Sequence, residues 1–234
     1  MIRQQEQAHT SEERGFHGLG IAPRLLEVLS FMSFREPTPI QQKAIPVGVE
    51  GKDIVGIAQT GTGKTLAFGI PLIQRVLQTS AGVGLVLLPT RELALQVQEM
   101  LSRFAKAFGI QTAVLIGGAS MGLQIQAVRK RPRIVIGTPG RIIDHLDRRT
   151  LALGNVSVLV LDEADRMLDM GFAPQIARIL QAVPKERQTM LFSATMPDDI
   201  LTIARMYMKL PVRVEIAPAG TAPERVEHEL FFVM

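Results

Sequence analysis

The 234-residue chain carries 26 Lys and Arg against 22 Asp and Glu, a formal charge of +4, and 47% of its residues are apolar. Such a chain can build one large α/β domain or two small ones, and its basic balance permits a polyanionic partner without requiring one. Cysteine is absent, which excludes disulfides and thiolate metal sites. The sequence has no apolar stretch of the roughly 18–20 residues a membrane helix needs and no signal-peptide core near its start, so a soluble, cytoplasmic protein without a membrane partner is expected. A monomer is expected as well.

Residues 1–15 are polar and aperiodic and read as a disordered leader. From Phe16 to Val49 the apolar spacing is helical: Leu25, Leu26, Val28 and Leu29 share one face, and a second short helix follows Pro39. After Gly51 come seven short β-branched or Leu-rich runs, at 53–58, 84–88, 112–116, 133–137, 156–161, 189–192 and 212–216. Segments of helical period separate them, as in Val97, Leu101, Phe104 and Phe108, or Ile176, Ile179, Leu180 and Val183. This alternation predicts an α/β fold with a mostly parallel central sheet and helices on both faces. Residues 217–225 (APAGTAPER) read as a linker, and 226–234 (VEHELFFVM) as the first strand of a further domain.

The first strand is followed by AQTGTGKT, residues 58–65. Gly61 and Gly63 let the backbone bend until several N–H groups aim at one anion. Lys64 can reach β and γ phosphates, and the Thr65 hydroxyl can ligate magnesium where the helix begins. Ala58 occupies the place that the general P-loop pattern gives to glycine. Lying between an apolar strand and the helical run Leu66 to Leu77, the stretch reads as a nucleotide-phosphate site rather than a flexible turn. Pro71 is expected to kink the helix that follows.

Asp162 is the first acid after VSVLVL (156–161). Alone, an acid in that place is more often a helix-start charge than a ligand, but an upstream phosphate loop reverses the preference, because phosphoryl transfer needs a metal held at a neighbouring strand end. Asp162 is then expected to hold the metal through water, and Glu163 to orient or deprotonate an attacking water. Asp165 is expected to contact neighbouring motifs, and Asp169 to face solvent. The guanine-specific N-K-x-D pattern has no counterpart, since Asn155, the one asparagine, is followed by Val-Ser. Gln41, in FREPTPIQ (34–41), can pair with adenine through its amide.

Other strand ends carry PTREL (89–93), GGAS (117–120), TPGR (138–141) and SAT (193–195). In a parallel sheet all of these lie on one edge, where open α/β folds bind ligands. Thr90 and Thr138 suit helix N-caps and Pro139 a first helical position. A helix N-terminus with a Thr hydroxyl and Arg91 or Arg141 nearby also binds phosphate, so a track for a sugar-phosphate backbone is a second reading of the same residues.

In this order, AQTGTGKT, PTREL, Gly117–Gly118, TPGR, DEAD and SAT resemble the N-terminal half of a DEAD-box ATP-dependent RNA helicase, and FREPTPIQ with Phe16 resembles that family's adenine-reading Q motif. The resemblance runs from Phe16 to Ile216. It implies a RecA-like P-loop domain over 16–216, with ATP or ADP and Mg2+ as ligands and single-stranded RNA as partner. By the same resemblance Phe16 and Gln41 contact adenine, and Thr60, Gly61, Thr62, Gly63, Lys64 and Thr65 hold the phosphates. Thr65 and Asp162 serve Mg2+, Asp162 through water, while Glu163 acts in catalysis with Lys64 and Asp162. Asp165, Ser193 and Thr195 couple nucleotide state to RNA, and Thr90, Arg91, Gly118, Thr138 and Arg141 lie along the RNA backbone. Ser33 departs from the pattern where the Q motif often has glycine.

The family's second RecA-like domain carries an H-R-x-G-R-type motif, and no such sequence occurs here. By the resemblance, this chain alone is expected to bind nucleotide but hydrolyse it feebly, and to unwind RNA only when joined to that C-terminal domain. A motor acting on duplex DNA and a nucleotide-gated module without turnover remain open alternatives. The basic cluster Arg129, Lys130, Arg131 and Arg133 reads as a solvated helix end, and the four histidines show no metal-ligand spacing.

Overall fold

The structure is a computed structural model that describes residues 15–216. The linker and strand expected over 217–234, and the leader expected over 1–15 except Gly15, lie outside the described residues.

Two helices come first, α1 (Pro23–Phe31) and α2 (Pro39–Val49), each opened by a proline whose missing N–H would be unpaired there anyway. Helix α1 ends in a Schellman arrangement, with the Phe34 amide donating to the Leu29 carbonyl and the Ser33 amide to Ser30. That motif needs a left-handed residue at its turn, and Ser33 supplies it at φ 64°. The serine that departs from the Q-motif pattern therefore occupies a backbone conformation suited to glycine.

Strands and helices then alternate: β1 (Ile54–Ile57), α3 (Lys64–Gln78), β2 (Val83–Leu87), α4 (Arg91–Ala107), β3 (Thr112–Leu115) and α5 (Met121–Arg129). They continue with β4 (Ile134–Gly137), α6 (Pro139–Asp147), β5 (Val156–Leu161), α7 (Ala164–Asp169), α8 (Ala173–Ala182), β6 (Gln188–Ser193), α9 (Asp198–Tyr207) and β7 (Val212–Glu215). Each expected strand is present, with its ends within a residue of the apolar run. Helix α3 runs unbroken through Pro71, so the expected kink does not interrupt it. No helix among the described residues is long and apolar enough to cross a membrane.

The seven strands form one sheet in the order β3-β4-β2-β5-β6-β1-β7. All of its strand pairs are parallel, a stricter arrangement than the mostly parallel sheet expected. Successive side chains on a strand point to opposite faces, and both faces are covered. Ile54, Val86, Val158, Met190 and Phe192 pack with α1 to α4, whereas Val55, Leu85, Leu159 and Leu191 pack with α6 to α9.

This order sorts the motifs. The phosphate loop follows β1, SAT closes β6, and the acids follow β5, which makes three adjacent strands. PTREL, TPGR and the glycine pair follow β2, β4 and β3, the adjoining three. Strand β5 stands at the border between the two groups.

Candidate active site

Gly63, the N-cap of α3, has φ 95° and ψ 18°, a left-handed conformation that costs glycine little. It aims the first amides of α3, which have no intrahelical acceptor, toward the loop's interior. Gln41 closes over the same point: its Nε2 donates to the Gly63 carbonyl at 2.9 Å, and its Oε1 accepts from the Thr38 amide at 3.0 Å. The residue expected to read adenine thus also braces the phosphate loop. Phe16, expected beside it on the base, is 4% exposed and packs in the core.

The Lys64 side chain is buried, and its Nζ has no hydrogen-bond partner among the described residues. Its nearest opposite charge is Asp162 Oδ1, at 3.6 Å. A buried ammonium without a hydrogen-bond acceptor is costly, and an incoming phosphate oxygen would relieve that cost. Asp162 also accepts from the Glu163 amide at 3.0 Å. Burial raises its carboxyl from 3.8 to about 6, Lys64 counteracts part of this, and the neighbouring Glu163 adds to it. A divalent cation would favour the charged form of such a carboxylate, so Asp162 at the β5 end has the chemistry of a magnesium ligand.

Glu163 begins α7 as its N-cap at φ 52° and ψ 50°, a strained conformation for a side chain of its size. Its Oε1 accepts from the Thr60 hydroxyl at 2.9 Å, and its Oε2 from Arg166 Nη1 at 3.2 Å. Thr62 instead bonds within the loop, to the Gln59 carbonyl at 2.7 Å.

Asp165 joins the SAT segment. Its Oδ2 accepts from the Ala194 amide at 3.1 Å, the Thr195 amide at 2.9 Å and the Thr195 hydroxyl at 2.8 Å. Its own amide donates to Ser193 Oγ at 3.3 Å. Burial opposes the charge on Asp165, but the bonds from the Thr195 hydroxyl, the Arg166 amide, Ser193 and the Thr195 amide together outweigh it and hold the carboxyl below its ordinary range. Asp169 is exposed, as expected.

Along β2, β4 and β3, Thr90 is the N-cap of α4 and accepts from the Leu93 amide at 3.3 Å. Thr138 is the N-cap of α6, but its hydroxyl makes no capping bond. Gly118, at φ 75°, lies so close to Arg91 that a Cβ there would overlap the guanidinium. Arg141 donates from Nη1 to the Ala119 carbonyl at 3.1 Å and pairs with Asp144 at 3.3 Å. Arg91 and Arg141 thus both meet the 117–120 loop, while the Thr90 hydroxyl is occupied within its own helix.

Sequence reasoning missed three participants. Arg166 follows the acidic motif directly, and its i,i+3 spacing from Glu163 was an available signal. Thr38 likewise stands three residues before Gln41, a capping-box spacing that the sequence offered, whereas His145 gave no such signal, because its Gln124 partner lies on another helix.

A sequence-family model described as DEAD/DEAH box helicase matches residues 38–203. Over 202 residues the chain is 50% identical to the ATP-dependent RNA helicase CshA of Listeria monocytogenes, in a match covering 86% of this chain and 39% of that protein. Among solved structures, a DEAD box protein from the hyperthermophile Methanococcus jannaschii is similar with a TM-score of 0.82 at 41% identity. That match covers 86% of this chain and 56% of the other. The chain thus spans well under half the length of its bacterial relative.

Proposed function

The chain belongs to the DEAD/DEAH box helicase family, and from that premise we propose that it is the ATP-binding half of an ATP-dependent RNA helicase. It binds ATP or ADP with Mg2+ and contacts the backbone of single-stranded RNA without reading its sequence. Joined to a second RecA-like domain, it couples hydrolysis to unwinding or remodelling of RNA. Alone it holds nucleotide but turns it over very slowly, since an arginine supplied from elsewhere is worth roughly 1,000- to 100,000-fold in phosphoryl transfer.

The observation that carries this reading is the buried Lys64 ammonium at the start of α3, without a hydrogen-bond acceptor among the described residues and 3.6 Å from buried Asp162. In the proposed reaction Lys64 and the α3 amides bind the β and γ phosphates, and Glu163 takes a proton from the attacking water. Thr60 and Arg166 orient that carboxylate. Mg2+, when bound, supplies charge neutralisation at the phosphates, and Thr65 and Asp162 are the residues that would hold it. Asp165 passes the state of this site to β6 through Ser193 and Thr195.

Calorimetric titration with ADP and Mg2+ tests the reading. Wild type should bind, and Lys64→Ala should weaken binding at least about tenfold, the worth of one charged hydrogen bond. Unchanged affinity in Lys64→Ala contradicts the loop assignment. Short labelled RNA and DNA strands of equal length separate the polynucleotide classes, and binding to DNA alone refutes the RNA claim.

A further inference from the structure

Beneath the glycine loop lies a line of hydrogen bonds that the motifs and the proposed activity leave unused. His145, on α6, is fully buried, with Nδ1 2.8 Å from Thr150 Oγ1 and Nε2 3.3 Å from Gln124 Oε1. Gln124, buried on α5, donates from Nε2 to the Ile116 carbonyl at 2.9 Å. Ile116 directly precedes Gly117 and Gly118.

The partners fix the direction of this line. Gln124 must turn its oxygen toward His145, because reversing the amide would set that oxygen against the Ile116 carbonyl. An amide oxygen only accepts, so the His145 proton sits on Nε2. In a neutral ring Nδ1 then accepts from the Thr150 hydroxyl, whose alternative acceptor, the His145 carbonyl, is farther away at 3.1 Å. Burial, then Arg141 and Arg148, lower the basicity of the ring, with only Asp144 opposing them. A neutral imidazole satisfies all four groups.

His145 follows Arg141 by one helical turn, and both are tied to the same loop, His145 only through Gln124. Arg141 holds the Ala119 carbonyl directly at 3.1 Å, while His145 holds the Ile116 carbonyl through Gln124. Gly118 lies between these anchors, against the Arg91 guanidinium. A Gly-Gly segment has much conformational freedom to lose on binding, so fixing it beforehand lowers the cost of engaging a ligand.

We propose that His145 and Gln124 are positioning residues for polynucleotide binding, holding loop 117–120 in register with the N-termini of α4 and α6. This inference rests on the backbone-track reading above.

The test uses this chain with His145→Leu, which removes both ring bonds, and His145→Gln, which keeps a donor toward Gln124 and an acceptor toward Thr150. Anisotropy of a short labelled oligouridine at low salt reads the track, and ADP titration reads the separate nucleotide strands. His145→Leu should weaken RNA binding about five- to tenfold, as for one lost ordering bond, with ADP affinity within about twofold of wild type. His145→Gln should recover most of the RNA affinity. Equal RNA affinity in wild type and His145→Leu, or equal losses in both variants, overturns the positioning role. Wild type that binds ADP but no RNA overturns the track reading instead, and the inference with it. If His145→Leu does not fold, imidazole nitrogen shifts of wild type decide: a neutral Nε2–H ring from about pH 6 to 8 supports the line of bonds, and an Nδ1–H ring or a solvent-like titration refutes it.

Discussion

Replacing Asp162 with Asn should make the nucleotide-free chain more stable at neutral pH while damaging its site. The Asp162 carboxyl is buried at the end of β5, and its proton is held up to about 6 rather than 3.8, first by burial and despite Lys64. The folded state therefore binds this proton more tightly than the unfolded chain does. The carboxyl favours folding fully below about pH 3.8, and that contribution is lost as pH rises through about 6. At about 1.36 kcal/mol per pH unit, the charged form then costs about 3 kcal/mol, and relaxation of the site makes this a ceiling. Asparagine has nearly the same shape and can still accept from the Glu163 amide, but it never ionises. Urea denaturation with chelator present, from about pH 4 to 8, should show Asp162→Asn ahead by 1 to 3 kcal/mol, in order of magnitude, at the upper end and level with wild type at the lower. A difference that does not change with pH, or an Asn variant less stable at pH 8, refutes this account of the buried acid.

Ser33→Gly should raise Tm by about 2 °C, because relief of left-handed strain slightly exceeds glycine's added chain entropy; a lower Tm would mean that Ser33 is not strained at φ 64°. Gly118→Ala should displace the Arg91 guanidinium and lose both RNA affinity and about 1 kcal/mol of stability; anisotropy and thermal melts unchanged from wild type would contradict the contact. Glu163→Gln retains an acceptor for Thr60 and loses the ionic pairing with Arg166. In a two-domain protein it should keep ADP affinity within about twofold and lose at least about 100-fold in RNA-stimulated hydrolysis, and wild-type turnover would remove Glu163 from its role.

Most strands were legible because they are short apolar runs bounded by polar or glycine-rich turns, and burial on both faces leaves no other use for VSVLVL or IVIG. The motif residues were legible for a related reason: they follow strands directly, so a parallel sheet brings them to one edge without further information. Contacts across topology were not legible. His145 had no ligand spacing in the sequence, because its ring partners are Gln124 on another helix and Thr150 beyond the end of its own. Arg133 read as part of a solvated basic cluster, yet it donates to the carbonyls of Val76, Thr79 and Gly82. The Val76 and Thr79 carbonyls are left over where α3 ends and that of Gly82 lies in the connection beyond, and a backbone carbonyl has no side-chain signature. Thr138 shows the converse, an N-cap position whose hydroxyl does no capping.

The acids of the DEAD segment are engaged rather than idle. Glu163 is held on both oxygens, Asp162 lies between an amide and an ammonium, and Asp165 takes three donors on one oxygen. On the proposed function, a nucleotide therefore supplies the acceptor that Lys64 lacks and exchanges partners elsewhere in the site. A phosphate drawing Lys64 away from Asp162, or Thr60 away from Glu163, leaves a carboxylate needing a new partner. Glu163 and Asp165 sit on the first turn of the six-residue helix α7, which packs on β6. A shift of that turn changes the grip of Asp165 on Thr195 without passing through the core of the sheet. Short helices bear such shifts at low cost, having few buried contacts to lose. The strained Glu163 backbone, at φ 52°, is the point where the exchange would release energy, so coupling between ligand and SAT should fail first in variants that relax it.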